Sequence, residues 1–134
     1  MVFVSVTRLR IRSRWFLPAF FWYSLLSMIQ AKRSPGNLKA IGLLEAKRTF
    51  WTLSAWNDAE SMRAFMTSGS HRKAMPKLLN WCDEASVAHW EQESAELPAW
   101  PEAHRRMLEL GRPSKVNPPS AAHLSREIPP PVIS

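Results

Sequence analysis

One stretch, Phe50 to Met75, constrains the fold more than any other part of the sequence. Its first seven residues are rich in aromatic and β-branched side chains at strand length, which predicts a β-strand. Asn57 then opens a predicted helix with a glutamate three positions on, the arrangement of a capping box. Gly69 predicts a left-handed helix stop, and His71 falls in the first turn of a second helix. The stretch therefore predicts a strand followed by two short helices.

The rest of the first 93 residues completes a recognisable order of elements. Alternating apolar and polar residues predict a first strand, and Pro18 and the pair Lys32-Arg33 suit the two ends of a helix. The predicted elements are a strand at Val2–Arg12, a helix at Pro18–Arg33, strands at Leu38–Lys47 and Phe50–Trp56, the paired helices ending near Glu84, and a strand at Ala85–Glu93. The order β-α-β-β-α-β predicts an α+β, ferredoxin-like fold, with a four-stranded antiparallel sheet and helices on one face.

Residues 94–134 are predicted to be an appendage to the domain at 1–93. Pro101 opens a last helix that ends at Gly111, and the following residues contain six prolines and few large apolar groups. Such a tail is expected to be extended or partly disordered and dispensable for folding. The sheet face without helices would then be bare, so we expect a homodimer that covers it.

Charge and composition limit the classes of function. Residues up to Arg48 hold nine Lys or Arg and one acidic residue, a balance of +8 within a net charge of +7. A solvated surface explains this better than nucleic-acid binding. One cysteine, Cys82, excludes a disulfide framework and suits the cytoplasm. The apolar run Trp15–Ile29 is too short and too interrupted for a membrane anchor, so we expect no membrane partner.

The first strand carries three arginines on one face. Arg8, Arg10 and Arg12 alternate with a second face formed by Phe3, Ser5, Thr7, Leu9 and Ile11. Glu91 and Glu93 on the neighbouring fourth strand are the expected partners in cross-strand ion pairs. The alternative is that the arginines recognise a carboxylate or phosphate.

The order of motifs resembles that of a known family. VSVTRLRIRS, the LPAF helix, FWTLSAW, SMRAF, SGSHRKAM and WCDEASVAHW, within residues 2–92, resemble a bacterial family of unknown function (DUF3291-like). It is placed near the antibiotic-biosynthesis-monooxygenase-like proteins of the dimeric α/β-barrel superfamily. The resemblance implies paired ferredoxin-like sheets. The superfamily includes cofactor-free monooxygenases, haem-degrading enzymes, dehydratases, isomerases and proteins that only bind ligands, so fold does not choose among them.

The resemblance also suggests two site residues. Haem-degrading members carry a tryptophan at the end of the third strand and a histidine on the following helical segment, and Trp56 and His71 are similar in placement. Those members have an amide side chain on the first strand, where this chain offers Thr7 and Arg8. The cofactor is therefore either none or haem, and no metal ligand is expected unless His71 binds haem iron.

Chemistry of the residues themselves adds roles to these positions. A histidine at a helix N-terminus is kept neutral by the dipole, so His71 can take a proton or bind a metal, unless its ring only caps the turn at Gly69. Tyr23 is the phenol nearest to the proposed site. Trp51 and Trp56 would form aromatic walls.

Three functions follow from the sequence. The first is a monooxygenase-like or haem-related enzyme that holds an aromatic or lipophilic molecule between sheet and helices, with His71 and Tyr23 in catalysis and Arg8 as counter-charge. The second is a non-catalytic ligand-binding dimer with the same cavity. The third is a basic module that binds nucleic acid. No phosphate loop or zinc-protease motif is present.

Overall fold

The computed structural model describes residues 1–45, 48–114, 116 and 119–131. Its strands form one antiparallel sheet in the order β2-β3-β1-β4-β5. They are β1 (Val2–Ile11), β2 (Asn37–Glu45), β3 (Thr49–Trp56), β4 (Cys82–Gln92) and β5 (Arg112–Pro113). The helices are α1 (Leu17–Arg33), α2 (Ala59–Met66), α3 (Gly69–Trp81), α4 (Trp100–Leu110) and α5 (Ala121–Leu124). The ferredoxin-like order of the first four strands is as predicted, but a short fifth strand extends the sheet beside β4.

Several predicted boundaries are wrong by a few residues. The cap of α2 is Asp58, not Asn57, because the Asp58 carboxylate accepts a hydrogen bond from the Ser61 backbone N–H at 2.7 Å. The second of the paired helices ends at Trp81, so the chain is already in β4 at Glu84. The predicted end of the second strand at Lys47 lies outside the described residues.

The alternation of β1 gives the sheet two different faces. Leu9 and Ile11 pack with Phe20 of α1 and Ala74 of α3. The even-numbered residues of β1, such as Val4 and Val6, point to the opposite side, because successive side chains of a strand alternate. The helices α1, α2 and α3 therefore cover one face, which we call the helix face.

The opposite face is covered within the chain by α4. Ala103 and Met107 of this helix are buried against Val4, Trp51 and Leu53. The helix is amphipathic, so the apolar residues at 103 and 107 share the side that meets the sheet. The expectation of a bare sheet face is thus wrong. A homodimer remains a prediction, but a bare sheet face no longer supports it.

The described part of the C-terminal tail packs along the β4 edge. The Ser114 N–H donates to the Ala85 carbonyl at 2.8 Å, and Val116 is buried in the cluster that contains Leu9. The Ser120 hydroxyl donates to Glu84 at 2.9 Å. These contacts differ from the extended or disordered tail that its proline content predicts, because a few apolar and hydroxyl groups suffice to close the sheet edge.

Helix α1 follows its predicted bounds closely but not its predicted environment. Phe20 and Ala31 are buried, whereas Trp22, Leu25 and Ile29 are exposed. Since apolar residues lie nearly all round this helix, the sequence predicts a second packing partner over these three residues. Within the described residues, no helix has both the length and the hydropathy that crossing a bilayer requires.

Candidate functional site

A cavity of about 200 Å³ lies between the helix face of the sheet and α1, α2 and α3. Its lining combines apolar side chains with hydroxyls and two histidines. The residues are Ser5, Thr7, Leu9, Ser24, Ser27, Met28, Ala31, Ala40, Phe50, Thr52, Leu53, Ser54, Met62, Phe65, Met66, His71, Met75, Val87, His89 and Ser114. A concave, largely apolar space with a few polar groups is the usual form of a small-molecule site, and this one is partly open to solvent.

The floor of the cavity is a polar patch in the middle of the sheet. Ser5 of β1 pairs with Ser54 of β3 and with His89 of β4. The next row of the same face is Thr7 with Thr52 and Val87. A sheet face packed under helices is ordinarily apolar, because buried hydroxyls are costly without hydrogen-bond partners. The patch therefore indicates a site rather than a core.

Two polar atoms of the lining have no hydrogen-bond partner among the described residues. They are Oγ of Ser27, on α1, and Nε2 of His89, on β4, and both are buried. Most buried polar atoms in proteins are paired. Both residues line the cavity, Ser27 from α1 and His89 from β4, so the cavity is bordered by two polar side chains whose hydrogen-bonding capacity is not satisfied.

His71 is held at the start of α3 by a side chain from α1. The Gln30 Oε1 accepts a hydrogen bond from the His71 backbone N–H at 2.8 Å, and the Gln30 Nε2 donates to the Ser68 carbonyl at 2.8 Å. The chain reverses here through Gly69, whose φ of +58° is the predicted left-handed conformation. Gln30 thus fixes the junction between α2 and α3 and positions the histidine.

The two ring nitrogens of His71 differ in their surroundings, and Nε2 is the one that can accept a proton. Its Nδ1 lies 3.2 Å from the Met66 carbonyl oxygen, which can only accept, so the proton is on Nδ1 and the neutral ring has its lone pair on Nε2. Burial lowers the pKa of His71, although the Met66 carbonyl opposes this. The ring is therefore neutral at pH 7. The ring nitrogen Nδ1 thus contacts the end of α2 and the ring lines the cavity, while a role for His71 as a base or ligand stays a prediction.

His89 is the second neutral histidine of the cavity. Burial lowers its pKa, and the positive charge of Arg112 lowers it further. Its ring lies 5.2 Å from the Phe3 ring. From the sequence alone, a histidine inside a strand is expected to be a packed residue. Its place beside Ser5 makes it part of the site.

Trp56 supports the site from behind. Its ring stacks on Phe65 at 5.2 Å, and Phe65 in turn lies 4.5 Å from the His71 ring. The Trp56 indole N–H donates to the Ser54 hydroxyl at 2.9 Å. Trp56 and His71 therefore both contact Phe65, but Phe65 and Ser54, not Trp56, are among the residues that line the cavity.

Three of the predicted site residues lie elsewhere. Arg8 and Trp51 point to the α4 side, because Arg8 pairs with Trp51 across β1 and β3 and both face away from the helices. Tyr23 lies between α1 and α3, where its hydroxyl accepts from the Lys77 ammonium at 2.8 Å. The roles of Arg8 as counter-charge and Trp51 as wall are therefore wrong for this cavity, and Tyr23 is not in its lining.

The arginines of β1 form a buried ion cluster on the α4 side. Glu84 Oε1 accepts from Arg8 at 2.7 Å, and its Oε2 accepts from Arg10 at 2.8 Å. Cross-strand ion pairs were expected, but not with Glu91 and Glu93. The register places Glu84 opposite Arg10, whereas Glu91 lies opposite Phe3. The cluster borders a separate polar cavity of about 260 Å³ beneath α4.

The polar floor and Ser27 were missed by sequence reasoning. A signal existed, because Ser5 and Thr7 interrupt the apolar face of the first strand that a ferredoxin-like fold turns toward its helices. The partners Thr52, Ser54 and His89 could be found only from the strand register. Ser27 sits in an apolar helix and carries no such signal.

The lining does not fit haem. A cavity of about 200 Å³ lies below the roughly 300 Å³ at which sites for drug-sized ligands begin. No Lys or Arg is among the described lining residues to pair with propionates. By contrast, a cavity of roughly 150 Å³ is known to hold a benzene ring. The site suits a small ligand with one or two rings.

The fold is that of the antibiotic-biosynthesis-monooxygenase-like proteins. A putative antibiotic biosynthesis monooxygenase from Nitrosomonas europaea superposes with a TM-score of 0.62 at 16% identity, covering 68% of this chain and 89% of the other. A conserved protein from Methanosarcina mazei superposes with a TM-score of 0.62 at 14% identity, covering 69% of this chain and 94% of the other. A mutant of SnoaB, a cofactor-independent oxygenase from Streptomyces nogalater, superposes with a TM-score of 0.59 at 14% identity, covering 73% of this chain and 98% of the other. At such identities the likeness shows the fold alone.

Residues 27–117 match the family model described as a domain of unknown function, DUF3291. The match spans more than half of the chain, and the chain belongs to this family. It includes α1 from Ser27 onward and every strand except β1. Comparison with curated proteins gives no match.

Proposed function

We propose that this protein binds a small aromatic molecule carrying a hydroxyl or carbonyl group in the cavity of the helix face. The observation that carries the proposal is the pair of unpartnered polar atoms, Ser27 Oγ and His89 Nε2, whose residues line an otherwise largely apolar space. One hydroxyl on a ring can bond to such groups while the ring contacts Met28, Phe65 and Met75.

The reaction we propose at this site is oxygenation without a bound cofactor. His71 is neutral, and its Nε2 has no hydrogen-bond partner among the described residues, so it can accept the proton of an acidic ring hydroxyl or ring carbon. The resulting anion is electron-rich and supplies the electrons that molecular oxygen takes up. When a ring methylene becomes a carbonyl, one oxygen atom enters the product and the other leaves as water with the two hydrogens. A neighbour in fold, SnoaB, is described as a cofactor-independent oxygenase.

Binding is tested with 1-naphthol and, as a control ligand, naphthalene. Ser27→Ala and His89→Leu should each weaken binding of 1-naphthol by about three- to tenfold, the worth of one hydrogen bond. Binding of naphthalene should not weaken. Tyr23→Phe is the matched control variant, because this hydroxyl bonds to Lys77 outside the cavity. Equal losses for both ligands, or a loss in Tyr23→Phe, would contradict the proposed site.

Catalysis is tested separately by oxygen uptake with bound ring methylenes and phenols. Uptake should exceed the protein-free rate and fall in His71→Gln, while 1-naphthol binding falls little. If wild type binds but never consumes oxygen, the chain is the ligand-binding protein of the second hypothesis. The structure gives less support to nucleic-acid binding, since two of the basic residues, Arg8 and Arg10, are paired with Glu84 and Asp83.

A further inference from the structure

The outward side of α1 is apolar along its length, which inverts the usual pattern of a surface helix. Trp22 is 59% exposed and Leu25 is 54% exposed. The exposed residues recur at helical spacing: Pro18, Phe21, Trp22, Leu25 and Ile29. We call this set the α1 face. Large apolar residues scattered singly on a surface are ordinary, but a contiguous patch marks an interaction site.

Basic residues flank the α1 face at both ends. Arg14 precedes α1, and Lys32 and Arg33 form its last turn, and all three are exposed. Beside Arg14 lies Trp15, which is 80% exposed. The sequence holds no acidic residue before Glu45. The partner of this surface must therefore accept apolar side chains in its middle and supply negative charge around them.

Charge decides between the possible occupants. A second copy docked on the α1 face would bring basic ends against basic ends in a parallel or an antiparallel arrangement, because both ends carry the same sign. Like charges across an interface are costly. Nucleic acid supplies negative charge but no apolar layer for Trp22, Leu25 and Ile29. An anionic lipid surface supplies both.

Although the sequence predicted no membrane partner, that expectation concerned an anchor across the bilayer. We propose that the protein binds the surface of an anionic membrane with α1 lying in the plane of the interface. The α1 face enters the boundary between headgroups and acyl chains, and Arg14, Lys32 and Arg33 contact lipid phosphates. Tryptophan is favoured at this depth, so Trp15 and Trp22 suit the N-terminal half of the contact. The helix has 17 residues and spans roughly 25 Å of membrane surface at 1.5 Å per residue.

The inner side of the same helix lines the ligand cavity. Ser24, Ser27 and Ala31 face the cavity, whereas the α1 face lies on the far side of the helix. The cavity is thus about one helix diameter, ~10 Å, from the membrane surface. A lipophilic ligand dissolved in the bilayer would have a short path to it.

The test is co-sedimentation of the full chain with vesicles at physiological salt. Vesicles of equal parts phosphatidylglycerol and phosphatidylcholine should bind the protein, and pure phosphatidylcholine should bind it much more weakly. Leu25→Ser should reduce binding by about tenfold or more, since each buried methylene contributes strongly. The matched control is Leu108→Ser on α4. Leu108 is 58% exposed, close to the 54% exposure of Leu25, and both lie in helices. It should leave binding unchanged.

A charge variant keeps the test independent of folding. Lys32→Gln combined with Arg33→Gln should weaken binding to the anionic vesicles by about fivefold per charge. The proposal is overturned if both vesicle types bind equally, or if Leu25→Ser and Leu108→Ser lose binding alike. It is also overturned if light scattering shows a dimer that Leu25→Ser dissociates, because the α1 face would then bind a second copy.

Discussion

The buried ion cluster around Glu84 should make this one carboxylate essential for stability. Glu84 is 4% exposed and Arg8 is 5% exposed. Besides the two arginines, the Ser120 hydroxyl donates to Glu84 at 2.9 Å. Glu84→Gln keeps the size of the side chain but removes its charge. Arg8 is then left as a buried cation without a counter-charge.

The magnitude follows from the cost of such an orphaned charge. Removing one partner of a buried ion pair costs about 3–5 kcal/mol, against a total stability of roughly 5–15 kcal/mol for a domain. With a urea m-value near the middle of the usual 1–3 kcal/mol per molar, the unfolding midpoint should fall by roughly 2 M. Tryptophan fluorescence during urea titration measures this shift.

The effect should depend on pH in a defined direction. Burial alone raises the pKa of Glu84, but hydrogen bonds from Arg8, Arg10 and Ser120 outweigh it, so the pKa in the folded protein is lowered. The stabilisation by ionised Glu84 is therefore fully present above the pKa that this carboxyl has in the unfolded chain. It is lost as the pH falls from that value through the lower pKa of the folded protein. The difference between wild type and Glu84→Gln should shrink over this acidic window.

Two further variants separate charge from packing. Glu102→Gln removes a carboxylate that binds Arg105 on the exposed side of α4, and it should change the midpoint little because exposed pairs contribute little. The double variant Arg8→Met with Glu84→Gln should recover part of the loss, since the orphaned cation is gone. If Glu84→Gln costs less than about 1 kcal/mol, the assignment of a buried, essential pair is refuted.

Four other outcomes follow from the structure. Ser27→Ala should raise stability by about 1 kcal/mol in urea titration, because it removes an unpartnered buried hydroxyl from a helix, while 1-naphthol binding falls. Truncation after Gly111, which the sequence analysis expected to be harmless, should cost about 2 kcal/mol or more by the same assay through loss of the buried Val116; an unchanged midpoint would restore the original expectation. Native Cys82 should not react with a thiol reagent at pH 8, because burial, then the charge of Asp83, raises its pKa to about 12. The homodimer remains a prediction that light scattering at micromolar concentration decides, a monomer mass being the contrary result.

Local sequence signals predicted the elements well, and long-range pairing explains most of what they missed. The α1 bounds and the left-handed Gly69 follow from proline, basic residues and glycine at helix ends, all of which act within one turn. The ion-pair partner of Arg8 does not follow from such local signals. The register between β1 and β4 brings Glu84 near Arg8 and places Glu91 opposite Phe3 instead. Arg8 itself was assigned to the wrong side, although period-two alternation with Thr7 allowed only one of them to face the helices.

The cavity depends on how the two sheet faces share the work of stabilising the fold. Empty space forfeits dispersion contacts, and the hydroxyls of Ser5, Thr7 and Ser54 contribute no apolar burial to the helix face. On the other face, beside the polar cavity near Glu84, α4 closes an apolar cluster in which Val4, Val6, Trp51, Leu53, Ala55, Ala103 and Met107 are almost wholly buried. An independent core there lets the helix face keep a polar floor. A chain that relied on the helix face alone would need Val or Ile at positions 5, 7 and 54, and it would have no room for a ligand.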